Sequence, residues 1–381
     1  MTHARIAVPV IVLSLLVAAA SLGQDGCLLV ERDYGPDGRV PIRVEAVVTG
    51  LEVPWALAFL PGGDLLVTER AGRIRRVANG RLQPEPVARI SVEGGEGGLL
   101  GLALHPGFAE NRLFFIYFTV RKAGAAVNRV ERWKLATDGR SAERERLILD
   151  DIPAARFHDG GRLRIGPDGM LYVGTGDAGE PARAQDRESL AGKLLRLTPE
   201  GRVPPDNPFP GSPVFLWGIR NTQGFDWLDA DTLVVTDHGP SGELGRSGHD
   251  EVNVARKGAN LGWPTVYGCQ QSAGMVAPRL TWTRAAPPGG AALYTGQNIA
   301  GWRGSLLIGT LGSRHLHRVV AFQAGRVEHE VYLRGDPPDG YGRLRDVIMG
   351  PDGHLYVTTS NCDGRGRCPR DGDKVLRLTR R

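Results

Sequence analysis

The chain has 381 residues, 41% of them hydrophobic and 23% charged, which excludes a disordered polar segment as the general reading. Its 53 glycines and 26 prolines point to many turns and little long helix, and so to an all-β architecture. The formal net charge is +5, but acids and bases are interspersed and no long basic run could follow a phosphate backbone, so a nucleic-acid partner is not expected.

At the start of the chain, Arg5 precedes an apolar run over 6–20 that ends near the small residues Ser21 and Gly23. This is the order of a secretory signal peptide over 1–23, and the run is too short for a membrane span. The protein is therefore expected to be periplasmic or secreted and not membrane-spanning. Gln24-Asp25-Gly26-Cys27 lacks the leucine that normally stands three residues before a lipid-anchored cysteine, so anchoring at Cys27 is the less favoured reading. Residues 24–40 read as an N-terminal linker and 41–381 as one domain.

Short β-rich runs then recur behind turn signals. Pro61-Gly62-Gly63-Asp64 precedes Leu65-Leu66-Val67-Thr68, and Gly166-Pro167-Asp168-Gly169 precedes Met170-Leu171-Tyr172-Val173. Similar units begin at Asp229-Ala230-Asp231, at Trp302-Arg303-Gly304 and at Gly350-Pro351-Asp352-Gly353. Proline and aspartate preset the early turn positions and glycine takes the positive-φ one, so each unit reads as a turn feeding a strand. Irregular spacing of roughly 50 to 105 residues, with no helical period, fits degenerate hairpin units arranged as a β-propeller better than a sandwich. The ends of such a ring bring together residues far apart in sequence.

Between the strand-like runs lie glycine-rich polar segments: 96–101, 158–163, 174–177, 218–224, 237–240 and 343–346. His158 precedes Asp159-Gly160-Gly161, where backbone or a flat ligand can approach closely. A neutral imidazole there can accept a proton near pH 7, with Asp177 to orient it. Taken alone, His158 fits a turn residue better than a base, and Asp177 a turn cap. Arg220, beside Asn221, offers a planar fork to an oxyanion or carboxylate, or bridges blades. Arg343 and Arg345 alternate, so a strand points both to one side, where something anionic must lie between them; Asp346 serves only in part. Gly239 and Pro240 offer carbonyls, and Asp250-Glu251 carboxylates, of the hard kind that suits Ca²⁺.

Export places the cysteines where disulfides form. Cys362 and Cys368 share a short polar loop and are expected to bridge; Cys27 with Cys269 stays open as a second pair.

In order, Gly-Leu-Leu-Gly, His-x-Gly-Gly-Arg-Leu, Gly-Asp, Arg-Asn-x-Gln-Gly, His-Gly-Pro, Asp-Glu-x-Asn, Asn-x-Gly-Trp-Pro and Arg-x-Arg-Asp resemble the soluble PQQ-dependent glucose/sorbosone dehydrogenase family, the aldose sugar dehydrogenases. The resemblance runs from about Val44 to Leu378. It implies a six-bladed β-propeller with the active site at the mouth of the axial channel, and oxidation of an aldose at C1 to the lactone by hydride transfer to PQQ. By the same resemblance His158 is the general base, Asp177 its support, and Arg220 the group that polarises the quinone oxygen. Asn221, Arg343 and Arg345 hold PQQ, the carbonyls of Gly239 and Pro240 bind the activating Ca²⁺, and Glu251 with the carbonyl of Leu261 binds a structural Ca²⁺. The implied partners are a small sugar and an external electron acceptor, for a monomer or homodimer.

Two cofactor positions depart from the family pattern. Glu96 stands where a glutamine contacts PQQ, an added negative charge unless protonated or paired, and Gly312 stands where a lysine does, with Ser313 or Arg314 as neighbours able to compensate. The stretch 241–249 is longer than expected. Two other readings stay open: a non-catalytic carbohydrate- or protein-binding propeller, and a Ca²⁺-dependent propeller lactonase.

Overall fold

Where the turn signals fall, the chain reverses. In the computed structural model, which describes residues 26–320 and 327–381, Pro61-Gly62-Gly63-Asp64 joins strand Pro54–Phe59 to Leu65–Glu69, with Gly62 and Gly63 at φ +95° and +92°. The Leu60 N–H closes this turn on the Asp64 carbonyl at 2.7 Å. The Pro-Asp-Gly units at 167–169 and 351–353 do the same, and each adds a tyrosine from the following strand, Tyr172 or Tyr356, that donates to the turn aspartate at 3.0 or 2.7 Å.

The described residues form six sheets of four or five strands, arranged as the blades of a six-bladed β-propeller. The innermost strands, in chain order, are Pro54–Phe59, Leu99–Leu104, Leu163–Ile165, Gly224–Trp227, Pro288–Leu293 and Leu344–Met349. All five turn units lie between the first and second strands of a blade. The second blade lacks one: a short helix, Phe108–Asn111, ends at Arg112 in the left-handed region and feeds Leu113–Lys122.

The ring closes by pairing its ends. Ile42–Leu51 lies antiparallel to Asp373–Arg380 in the sixth blade, Ile42 opposite Arg380 and Leu51 opposite Asp373. Within 24–40, read as a linker, Leu28–Val30 pairs in parallel with Leu280–Trp282 of the fourth blade. Cys27 is bonded to Cys269, which ties this stretch to the propeller and leaves no thiol for a lipid. The second bridge is Cys362–Cys368. The signal peptide expected over 1–23 lies outside the described residues, and no helix among those described is long and apolar enough to cross a membrane.

Between blades the alternating strands bury their apolar sides. Phe114, Phe115, Ile116 and Tyr117 are fully enclosed with Leu99, Leu163 and Val173, each large side chain contributing about 2–3 kcal/mol. Along the axis the core turns polar. Arg162 pairs with Asp346 at 2.9 Å, donates to the Gln223 carbonyl at 2.7 Å and lies 4.5 Å over the Trp55 ring. This buried layer separates two cavities at opposite ends of the inner strands. The larger, about 510 Å³, is lined by their far ends, from Leu57 to Met349, and contains no histidine.

Candidate active site

An antiparallel hairpin puts the start of its first strand and the end of its second at the same end of the ring. The segments before the innermost strands, with Glu96, His158, Arg220, Gln223, Pro287 and Arg343, therefore converge with the segments after the second strands, with Arg70, His238, Ser241, Gly312, Asp363 and Arg365. They enclose a cavity of about 290 Å³. Although it is the smaller cavity, it holds His158 and His238 beside five arginines, whereas the larger one holds no histidine.

His158 is held in the left-handed region at φ +64°, uncommon for a residue with a side chain. Gly160 and Gly161 let the chain press against the next strand: a Cβ on Gly160 would fall 2.5 Å from Thr175 Cα. The His158 amide donates to Glu96 (3.1 Å), and its Nδ1 lies 2.7 Å from Asp177 Oδ1. Asp177 is fully buried and also accepts from Gly179 N and Trp263 Nε1, each at 2.9 Å. An ionised carboxylate only accepts, so Nδ1 carries the proton and Nε2 is the basic atom. That Nε2 lies 3.5 Å from Glu243 Oε1.

Arg220 is buried, its guanidinium 5.7 Å from the Trp263 ring. Its Nη2 donates to Glu243 Oε1, and its amide to Asp237 at 2.9 Å. Asn221 gives its amide to Asp237 and takes the Gly160 N–H on Oδ1 at 2.9 Å. Burial pushes Asp237 up to about 7 against those two donations. Burial likewise pushes His238 down to about 3; this neutral ring donates from Nε2 to the Pro288 carbonyl at 2.5 Å.

Arg343 and Arg345 do meet an anion, but it is Asp363 and not Asp346, which is taken by Arg162. Asp363 Oδ2 is 2.8 Å from Arg343 Nη2 and 3.7 Å from Arg345 Nη2. Arg345 also donates to Gln223 Oε1 at 2.8 Å; burial and the neighbouring Arg343 push it down to about 9. Asp363 belongs to the loop closed by Cys362–Cys368, and so does Arg365, which donates to Glu96 at 2.8 Å. Burial would raise the Glu96 carboxyl, but the His158 N–H and Arg365 outweigh it and hold it below its ordinary value. The negative charge at Glu96 is thus paired. Gly312 lines the wall, where a Cβ would come 3.1 Å from Pro287 Cγ. Arg314 does not compensate for it, because it turns away to Asp336.

Sequence reasoning missed Glu243, Arg70, Asp363 and Arg365, and met Trp263 within Asn-x-Gly-Trp-Pro without giving it a role. A usable signal existed for the last two: their loop follows the second strand of its blade, as Asp177 and His238 follow theirs.

Of the residues read as metal ligands, Gly239 and Pro240 stand between His238 and Ser241 of the cavity lining, and Glu251 and Leu261 do not line it. Gly239 and Pro240 follow strand Leu233–Asp237, the Gly239 amide held by Asp250 at 3.0 Å. Glu251 is buried and takes the Gly268 N–H at 2.8 Å; burial, Asp237 and Asp250 push it up to about 8. Leu261 opens the loop that returns at Gly268, its N–H on the Trp217 carbonyl at 2.8 Å. Among the described residues no three His, Cys, Asp or Glu side chains are grouped to hold a metal, so an ion at Gly239 and Pro240 needs carbonyl and ligand oxygens.

As a host for a flat tricarboxylate the cavity fits. Five arginines (Arg70, Arg220, Arg343, Arg345 and Arg365) line it against the carboxylates of Glu96 and Asp363, and Glu243 on Arg220 adds a third, which leaves an excess of two positive charges among these groups. Arg220 Nε and Asn221 Nδ2 are buried with no partner among the described residues.

A family model described as Glucose / Sorbosone dehydrogenase matches residues 51–371. The chain is similar to aldose sugar dehydrogenase YliI of Escherichia coli, 33% identical over 85% of this chain and 91% of that protein. It is similar to quinoprotein glucose dehydrogenase B of Acinetobacter calcoaceticus, 30% identical over 60% of this chain and 54% of that one. The PQQ-bound form of an aldose sugar dehydrogenase from Streptomyces coelicolor superposes with a TM-score of 0.80, at 36% identity, over 91% of this chain and 99% of that chain.

Proposed function

We propose that this chain, which belongs to the glucose/sorbosone dehydrogenase family, oxidises aldose sugars at C1 to the lactone with PQQ as cofactor. The observation that carries the reading is the His158–Asp177 pair, 2.7 Å apart, facing Arg220 in a cavity whose lining carries excess positive charge. PQQ, when bound, supplies the acceptor for the hydride that leaves C1.

The protein's share is proton and charge management. His158 Nε2 takes the C1 hydroxyl proton as the hydride departs, and Asp177 stabilises the resulting imidazolium. Arg220 offers its guanidinium where negative charge develops, the term that usually contributes most in such sites. Asn221, Arg343, Arg345, Glu96 through its Arg365 partner, and the open wall at Gly312 would hold the cofactor. The carbonyls of Gly239 and Pro240 would bind an activating Ca²⁺, with Glu251 and the Leu261 carbonyl at a structural Ca²⁺. Secretion or periplasmic residence, an external electron acceptor and a monomeric or homodimeric state complete the reading. The arginine excess favours it over a lactonase, which has no use for a tricarboxylate clamp.

The test is addition of PQQ and Ca²⁺ to the purified protein, with dye reduction followed for several aldoses. Aldose-dependent reduction that is lost on chelating Ca²⁺ is expected. No reduction, together with no change in the PQQ absorption spectrum, would remove the proposal.

A further inference from the structure

The stretch that the sequence makes longer than expected folds as a small hairpin, bridged between Ser241 and Ser247. Its stem is anchored: Arg246 donates to the Pro264 carbonyl at 2.6 Å and lies 4.5 Å from the Tyr267 ring. Its tip is closed by its own backbone hydrogen bonds, Gly242 N–H on the Arg246 carbonyl at 2.9 Å and Gly245 N–H on the Gly242 carbonyl at 3.2 Å, with little packed around it. Gly242 and Gly245 sit at φ +122° and +68° with nothing within 4 Å of where a Cβ would stand, and Leu244 is 61% exposed at φ +55°.

From this tip Glu243 reaches inward. Its Oε2 takes the Ser241 N–H, while its Oε1 takes Arg220 Nη2 and lies 3.5 Å from His158 Nε2. A reacting oxygen must stand within hydrogen-bond reach of the base and beside the group that stabilises its charge. The Glu243 carboxylate holds that place. A ligand oxygen and Glu243 therefore cannot both occupy the place between Arg220 Nη2 and His158 Nε2.

We propose that Glu243 is a specificity-determining latch, a tethered carboxylate that gives up Arg220 only to a ligand bringing its own anionic or strongly polarised oxygen, as the tip from Gly242 to Gly245 swings out. A neutral sugar hydroxyl does not displace it, because it would exchange an ion pair for a hydrogen bond in which only the arginine is charged. Loading is consequently ordered, cofactor before sugar. The inference rests on the PQQ reading above.

The test is a fluorescence titration of PQQ, at fixed Ca²⁺, into the full-length protein and its Glu243→Gln and Glu243→Ala variants. Trp263 and Trp55, beside Arg220 and Arg345, report occupancy. Both variants are expected to bind PQQ about tenfold or more tighter than the parent. A dye placed by Leu244→Cys, in a chain whose other cysteines are all bridged, is expected to change its emission when PQQ is added. Equal or weaker PQQ binding by both variants, or an unchanged dye signal on saturation, overturns the latch while leaving the cofactor reading intact. No PQQ binding by any of the three proteins overturns that reading and the latch with it.

Discussion

Replacing Asp177 by asparagine tests how the base is built. The carboxylate makes three contacts, all as acceptor: His158 Nδ1 at 2.7 Å, Gly179 N at 2.9 Å and Trp263 Nε1 at 2.9 Å. An amide has one acceptor oxygen and one donor nitrogen, so in either orientation a donor faces a donor. Turning the NH₂ toward Trp263 costs one acceptor; turning it toward His158 leaves Gly179 N–H without one and forces the imidazole proton onto Nε2. The first orientation is cheaper, keeps Nε2 basic and leaves the indole N–H unpaired, at about 1–3 kcal/mol of stability. The imidazolium formed during turnover then loses its charged partner, about 3 kcal/mol, or roughly a hundredfold in kcat/KM. Steady-state dye reduction at saturating PQQ measures this, with PQQ affinity by fluorescence as the control, expected within about threefold of the parent. Undiminished kcat/KM would refute the role assigned to the pair.

Three further outcomes are expected. Asp363→Asn leaves the buried Arg343 and Arg345 without their anion; Tm should fall by about 4–7 °C for a loss of about 3–5 kcal/mol, and PQQ should raise it more in the variant than in the parent, whereas an equal rise argues against the clamp. Cys362→Ser with Cys368→Ser frees the loop that carries Asp363 and Arg365 and should weaken PQQ binding about tenfold; unchanged affinity would mean the ion pairs hold the loop alone. His315 and His317, both buried, and the half-buried His329 form a chain with nitrogens 3.1 and 3.3 Å apart, and burial pushes His315 down to about 4, His317 well below its ordinary value and His329 down as well. The unfolded chain binds protons below about pH 6.5 that the folded chain refuses, so this stability is present above that pH and is lost as pH falls toward 4, with a slope approaching about 1.4 kcal/mol per pH unit for each histidine; urea midpoints at pH 7, 6 and 5 check it, and a flat profile contradicts it.

What the sequence made legible was local. The turn units at 61–64, 166–169, 229–231, 302–304 and 350–353 each mark one first-to-second-strand connection, because Pro, Asp and Gly act through their own φ preferences. The second blade stayed silent because a helical turn from Phe108 to Asn111 does the same work without those residues. Ring closure by Ile42–Leu51 on Asp373–Arg380 and the parallel strand Leu28–Val30 left no signal, since pairing across most of the chain is decided by the fold as a whole. At the site the motif residues stood out, but their pairings did not. Glu243 meets Arg220 and Trp263 meets Asp177 across 23 and 86 residues, and neither spacing belongs to any local period. The same holds for Glu96, whose charge looked unfavourable beside an anionic cofactor until Arg365, 269 residues away, was seen to pair with it.

The central claim is that His158 is the proton acceptor of a PQQ enzyme, and His158→Ala tests it most directly. With PQQ and Ca²⁺ present, the variant should bind PQQ within about threefold of the parent, because the cationic clamp is untouched, while aldose-dependent dye reduction falls by about 10²–10⁴. Full turnover in the variant, or loss of PQQ binding in place of turnover, would contradict the account.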